Sequence, residues 1–303
     1  MKPARIVFIG ADYPDLEKHC PHHLGVQIGL KRLGIPYKFI SCRPTLDVNS
    51  VIEFKPDLVI YGLKDLVIHH EWRKEIRENL PNAKIVMYYG DYRDSSTGQF
   101  QADCSEMDAM FISNDAQEEY YKQKWKFKQV HFLPLGCEPI KAPKKSKLYD
   151  LPFIFIGGLI HDGVFNRRAE QIEKFKVEDG LKVISSFEPN MRGRIFREMP
   201  SIYSSAGTCL DISHFTDVKR YTSIRFWEIP AFWGFALTKR FPGCEEFYPE
   251  DTRAYFDDYG EAIEKKMYYE RHPKERRIML AKAHKISYQH TYDKRFTKMF
   301  SLL

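Results

Sequence analysis

Apolar positions along this chain fall into short unbroken runs separated by longer mixed segments. Runs rich in β-branched and aromatic residues occupy 5–10, 37–42, 57–61, 84–89, 107–113 and 130–133. Between them, charged and apolar residues recur at helical spacing, as over 24–33, 70–80 and 115–124. The apolar runs do not alternate strictly with polar residues. A strand with one wet face alternates, whereas a strand covered on both faces does not. The pattern therefore predicts parallel strands layered between helices in βαβ units.

The rhythm breaks over 134–150, where Pro134, Gly136, Pro139 and Pro143 precede the basic run Lys144, Lys145 and Lys147. Such a stretch reads as an interdomain linker. The pattern then restarts with strands over 152–157, 181–185, 208–212 and 235–239 and helices over 165–175 and 223–233. From 258 to 300 the chain is nearly all helical. Two halves of the same kind predict two similar α/β domains facing a cleft, the first over 1–143 and the second over 144–288. No short repeat and no low-complexity tract interrupts them.

Composition adds bounds. With 43% apolar and 15% aromatic residues, the chain can fill a sizeable core, which excludes a disordered class. The net charge of +6 suits an anionic ligand or a nucleic-acid surface without requiring either. Cysteines stand at 20, 42, 104, 137, 209 and 244 with no C-x-x-C pair, which predicts reduced, mostly buried thiols and a cytoplasmic location. The opening apolar run is too short for a signal peptide and reads as the first strand. No apolar stretch approaches the roughly 18 residues of a membrane span.

The densest chemistry lies over 222–248. Thr222 and Ser223 are good N-cap residues, and the free amides of a helix start there form a seat for an anion such as a diphosphate. Arg225 on the first turn would add a forked contact to phosphate oxygens. Glu228, one turn on, can accept both hydroxyls of a ribose attached to that diphosphate. Pro230 is tolerable so near a helix start, and Gly234 is the expected C-cap. The bland alternative is a helix stop, a buried strand and a surface turn.

On these residues the segment resembles the C-terminal signature of group-1-type glycosyltransferases, nearest to the spore-maturation-protein-like branch. That branch reads R-x-x-E, a small or apolar run with Gly, a strand, then P-G-x-E-E-x-F. Here these are Arg225, Glu228, Gly234, Pro242, Gly243, Glu245 and Glu246, with Tyr248 in the last place. The likeness runs on through Tyr255-Phe256-Asp257-Asp258, Pro273-Lys274-Glu275-Arg276-Arg277 and His290-Thr291-Tyr292-Asp293-Lys294-Arg295. In the family these are a surface loop, a helix pair and a closing helix. The resemblance implies the GT-B arrangement: two facing Rossmann-like domains, with residues 289–303 packing back on the first. It implies a nucleotide-diphosphate-sugar on the C-terminal domain and an acceptor mainly on the N-terminal one. Glu228 would bind ribose, and Thr222, Ser223 and Arg225 the diphosphate. Retaining members often carry a second glutamate eight residues before the first; that position is Arg220, which leaves the stereochemical outcome open while still offering a cation to phosphate.

A second segment, F-I-G-G-L-I-H-D-G-V-F-N-R-R over 155–168, ends a strand in Gly157-Gly158, so a ligand can approach the backbone closely. Arg167 and Arg168 follow on the next helix within reach of phosphates, and the family has a similar opening to its donor domain. An ordinary strand-to-helix turn with surface arginines is the alternative. Neither a G-x-G-x-x-G fingerprint nor a P-loop is present.

In the first half, ligands are expected over the loops after the strand ends. Asp91, Asp12 and His22 are the candidates for the base that takes the acceptor's proton, against the alternative that each aspartate only caps a turn. The cluster His19-Cys20-Pro21-His22-His23 invites a zinc reading, but its spacing fits no regular site and no second cluster accompanies it. No D-x-D occurs, so the reading assigns no metal and no cofactor, with helix amides and arginines supplying the charge. Lysines interleaved with aromatics over 120–128 would either track a polyanion or form an amphipathic helix with a solvated face. Three functions follow: a metal-independent glycosyltransferase acting on a hydroxyl acceptor, a DNA-modifying glycosyltransferase acting on a hydroxylated base, and a non-catalytic nucleotide-sugar-binding module.

Overall fold

The computed structural model describes residues 2–10, 21–42, 45–62, 70–89, 104–159, 166–185 and 189–303. The described residues form two compact units. One holds Val26–Leu135 with the first strand and Tyr292–Leu303; the other holds Gly136–Thr291.

The first unit is a six-stranded sheet. Its strands are β1 (Ile6–Gly10), β2 (Tyr37–Ser41), β3 (Leu58–Gly62), β4 (Lys84–Tyr89), β5 (Ala109–Ile112) and β6 (Val130–Phe132). Their order across the sheet is β2-β1-β3-β4-β5-β6, and every pair is parallel. The helices are α1 (Pro21–Arg32), α2 (Val48–Phe54), α3 (His70–Asn79) and α4 (Glu118–Trp125). Strand residues such as Val7, Phe8, Val59 and Ile60 are fully enclosed, which explains why the runs do not alternate.

The lysine–aromatic stretch resolves in favour of an amphipathic helix. Tyr121, Trp125 and Phe127 are buried in the core of this unit, while Lys124, Lys126 and Lys128 face solvent. Rings turned inward cannot act as a stacking platform for bases.

The second unit repeats the plan. Strands β7 (Phe153–Ile156), β8 (Lys182–Ile184), β9 (Thr208–Asp211), β10 (Ala236–Lys239) and β11 (Ala254–Phe256) lie in the order β11-β10-β9-β7-β8, all parallel. The helices are α5 (Asn166–Asp179), α6 (Pro189–Ser205), α7 (Ile224–Ala231), α8 (Tyr259–Arg271) and α9 (Pro273–Ser287). The final helix, α10 (Tyr292–Leu302), belongs with the first sheet. It buries Tyr292, Phe296, Met299 and Phe300, a helical stripe.

Three local features differ from the sequence reading. The helix α6 is absent from the predicted elements because Gly193 and Pro200 interrupt its sequence; Ile195, Met199, Ile202 and Tyr203 nonetheless form one buried face. Residues 255 and 256, expected in a surface loop, belong to the buried edge strand β11, which is too short for its own period to show. Helix α7 ends through Trp233 in the left-handed region at φ 60°, and not through Gly234. The indole is held there by a hydrogen bond from Nε1 to the Ile140 carbonyl at 3.0 Å and by stacking on His284 at 3.9 Å. Gly234 is required for a different reason: a Cβ there would lie 2.8 Å from the Ile229 side chain.

The 134–150 segment is not a free tether. Cys137 donates its amide to the His290 carbonyl, Ile140 to that of Ala231, and Ser146 to the Ser205 hydroxyl. The lysines 144, 145 and 147 remain exposed. Cys42, Cys104, Cys137, Cys209 and Cys244 are buried free thiols. Among the described residues no helix is long and apolar enough to cross a membrane.

A Cβ at Gly29 in α1 would lie 2.7 Å from the amide nitrogen of Asp293 and from the Tyr292 Cβ. Alanine's better helix propensity gains at most about 1 kcal/mol, while forcing two backbones apart costs about 1–3 kcal/mol. The expected result for Gly29→Ala is a lower unfolding midpoint, measured by circular dichroism during heating.

Candidate functional site

In an open parallel sheet the natural ligand position lies beyond the carboxyl ends of the strands where the order reverses. In the second unit that point falls between β7 and β9, since β8 flanks one and β10 the other. The residues leaving these two strands are Gly157-Gly158 and Ile212-Ser213-His214.

Arg225, from the first turn of α7, reaches beneath this point. Its Nη1 donates to the Ile156 carbonyl at 3.3 Å and its Nη2 to the Ile212 carbonyl at 3.0 Å. The guanidinium lies 4.6 Å from the centre of the Phe155 ring and is buried. It therefore holds two strand ends together; the sequence reading had placed it as an open fork toward phosphate. Gly157 is required by this packing, because a Cβ there would stand 2.9 Å from Arg225 Nη1.

Arg168 on α5 completes the layer. Its Nη2 donates to the Gly158 carbonyl at 2.6 Å, and its guanidinium lies 5.7 Å from the Phe155 ring centre. Burial, with the nearby charge of Arg225 adding to it, lowers the Arg168 pKa to about 9. The adjacent Arg167 points outward and is exposed. Burial beside Arg168 and Arg225 also lowers His214 to about 3, so its ring is neutral at physiological pH.

The start of α7 supplies amides. Ser223 is the N-cap with extended backbone, but its side chain does not cap. Its amide donates to Ser213 Oγ at 3.3 Å, which ties the helix start to the loop after β9. The hydroxyl of Thr222 is turned inward and accepts from Trp227 Nε1 at 3.1 Å. In the first turn the Phe226 amide donates to the Ser223 carbonyl at 3.2 Å, while the amides of Ile224 and Arg225 have no intrahelical acceptor, as at any helix start, so the helix presents two donors where Arg168 and Arg225 present charge.

Two buried carboxyl groups lie beside the cluster. Asp211, at the end of β9, accepts from Arg253 Nη1 at 3.1 Å and stands 3.9 Å from Arg225 Nε. Burial raises its pKa, opposed by Arg253 and Arg225. Glu228 is 3% exposed, its Oε2 has no hydrogen-bond partner among the described residues, and burial raises its pKa to about 8 against the pull of Arg225. A neutral carboxyl offers both an O–H donor and a carbonyl acceptor, a match for a vicinal diol.

Arg220 stands apart. It adopts a left-handed backbone at φ 56° and forms an ion pair with Glu246 of the Pro242-Gly243 turn. Asp12 and Asp91 lie outside the described residues; the backbone of His22 lies in the first turn of α1, and its side chain is likewise outside them. Among the described residues no group of three His, Cys, Asp or Glu is placed to hold a metal ion. Sequence reasoning missed Asp211, Ser213 and His214. Their signal lies in position: Asp211 ends the predicted strand 208–212 and Ser213 and His214 directly follow it, where ligands gather in an open sheet.

Residues 178–301, which contain α7 and the loop after β9, match the Glycosyl transferase-like family. No curated protein sequence matches the chain. The chain is similar in structure to an alpha-glucosyltransferase solved with UDP and a 13-mer DNA containing a HMU base, at 12% identity over 98% of both chains, with a TM-score of 0.68. It is similar to the Anabaena protein Alr3699/HepE solved with UDP-glucose, at 11% identity over 99% of this chain and 100% of that one, with a TM-score of 0.54. It is also similar to T4 phage BGT solved with UDP and Mn2+, at 14% identity over 98% of both chains, with a TM-score of 0.60. The fold is thus of the GT-B glycosyltransferase kind, with two Rossmann-like bodies.

Glu228 makes stability depend on pH with a definite sign. Between about 4.5 and 8 the unfolded carboxyl is ionised while the folded one keeps its proton, so this group's contribution falls as pH rises through that window. Glu228→Gln is expected to flatten that decline in urea unfolding measured across the same range; an unchanged slope would show that Glu228 ionises freely in the folded protein.

Proposed function

We propose that this protein is a glycosyltransferase that takes its sugar from a nucleotide-diphosphate-sugar and passes it to a hydroxyl acceptor. The observation that carries this reading is the pair of buried guanidiniums, Arg168 and Arg225, under the Gly157–Gly158 strand end and beside the start of α7. The family match over 178–301 supports it. A diphosphate seated there gains charge as the bond to the sugar breaks. Fixed donors that meet this charge need no reorganisation, and each is worth on the order of 2.7–4 kcal/mol at the transition state. Glu228 would take the ribose hydroxyls. The protein's own cations and amides would do the work a metal does elsewhere, so the reaction is expected to persist in EDTA. Asp91, Asp12 or His22 would accept the acceptor's proton.

A more specific reading has a hydroxylated DNA base as the acceptor and the cytoplasm as the place of reaction. Support comes from the likeness to the alpha-glucosyltransferase solved with DNA, and from the positive net charge with the exposed lysines 141, 144, 145 and 147. Binding to duplex DNA should weaken steeply with salt, and a gel-shift series without any complex at low salt would remove this acceptor.

The donor reading is tested by thermal shift against nucleoside diphosphates and their sugars. A ligand at about 100 times its Kd stabilises the folded state by about 2.7 kcal/mol. A UDP-type ligand is expected to raise the midpoint of the wild type and, in Arg168→Ala, to do so only at roughly tenfold or higher concentration, a loss of about 1.4 kcal/mol. If no nucleoside diphosphate shifts the wild-type midpoint, the donor assignment fails.

A further inference from the structure

Two polar atoms in the C-terminal unit are enclosed and have no hydrogen-bond partner among the described residues: Oε2 of Glu228 on α7 and the hydroxyl of Tyr203 on α6. Glu228 is 3% exposed and Tyr203 1%, and what exposure remains does not fall on these atoms. Enclosed polar atoms without a partner are rare, because each forfeits the hydrogen bond it made to water.

Packing holds the two residues on one side of the sheet. The Tyr203 ring stacks on Phe232, with centroids 6.3 Å apart and planes 23° apart. The Phe232 amide donates to the Glu228 carbonyl at 2.9 Å, closing the last turn of α7. The Tyr203 carbonyl accepts from Cys209 Sγ on β9. Tyr203 is thus pinned against β9 and against the turn of α7 that carries Glu228. Burial first, and the Glu228 carboxyl next, push the Tyr203 hydroxyl well above its ordinary range, so it keeps its proton and can donate.

Arg225, the cation that acts on Glu228, is spent elsewhere. Its two terminal nitrogens are on the Ile156 and Ile212 carbonyls, and its Nε faces Asp211 at 3.9 Å. Tyr203 offers a hydroxyl that is not committed. Glu228, neutral in its enclosed position, has an inner oxygen that lacks a donor.

We propose that Tyr203 is a positioning residue for the donor's ribose: its hydroxyl donates to the inner oxygen of Glu228 when the ribose engages the outer one. The inference rests on the reading of Glu228 as the ribose contact. A carboxyl held at Oε2 is fixed about its last torsion, and its acid proton stays on Oε1. The ribose then meets a donor of fixed direction, and a contact to a fixed group loses less to ordering.

Isothermal titration of the full chain with UDP, ADP, GDP and CDP, each against its 2′-deoxy counterpart, tests the proposal. The wild type is expected to bind at least one ribonucleoside diphosphate about tenfold or more tightly than the deoxy form. Tyr203→Phe keeps the ring on Phe232 and removes only the hydroxyl, so it should fold and bind the deoxy form as the wild type does. It should reduce the preference for ribose by about threefold or more. In a Glu228→Ala background the same change should leave the ratio unaltered. A purely structural role for Tyr203 would weaken both forms together. The proposal is overturned if the wild type binds both forms alike, if Tyr203→Phe keeps the wild-type ratio or weakens both forms equally, or if it alters the ratio without Glu228. A wild type that binds no nucleoside diphosphate would sink the donor reading and this inference with it. Tight diphosphate binding with an unchanged ratio in Tyr203→Phe would sink this inference alone.

Discussion

The C-terminal unit turns on one buried guanidinium. Arg225 joins the carbonyl that ends β7 to the carbonyl that follows β9, at the point where the sheet reverses its order. Two strands in one register leave carbonyls pointing into the space beyond their ends, and buried carbonyls need donors. One planar fork satisfies both. It also fixes the separation of the two loops, Gly157-Gly158 and Ser213-His214, that border the candidate ligand seat. Without it those loops would need water or a ligand to be satisfied, and the seat would not exist ahead of its ligand.

The charges follow from that choice. A buried cation requires compensation, and Asp211 supplies part of it while serving Arg253 more closely, at 3.1 Å against 3.9 Å. Arg253 in turn is sandwiched between Phe226 and Tyr248 and donates to the Phe226 carbonyl, which anchors α7 from below. Among the described residues Arg168 adds a further cation with no carboxylate of its own, and Glu228 is neutral, so the described part of the layer retains excess positive charge. An anion that binds there meets groups already desolvated and oriented, for which the cost of ordering was met in folding.

Sequence pattern carried much of this. The strands were legible because each is buried on both faces and so reads as an unbroken apolar run, as Phe153–Ile156 does. The helix start at Ser223 was legible from capping residues, and the need for glycine at 157 from a strand that ends abruptly. What failed locally failed for local reasons. Pro200 hid α6, because its missing amide matters less inside a helix packed on one face than propensity implies. The three residues of β11 carry too little pattern to be read as a strand, and only pairing with β10 makes them one.

The residue types for an anion seat were thus written in the chain, but their roles were set by the fold. Arg167 and Arg168 are equivalent as letters. A rotation of about 100° per residue along α5 sends one to solvent and the other under Gly158. Arg225 and Glu228 were placed on a helix near phosphate by their spacing. That this helix is enclosed, so that the arginine braces backbone and the carboxyl keeps its proton, depends on β7, β9 and Arg253, which are distant in sequence. Local propensity acts over a few residues; burial and the electrostatics it controls are properties of everything packed around a group, and only the tertiary structure assembles that surrounding.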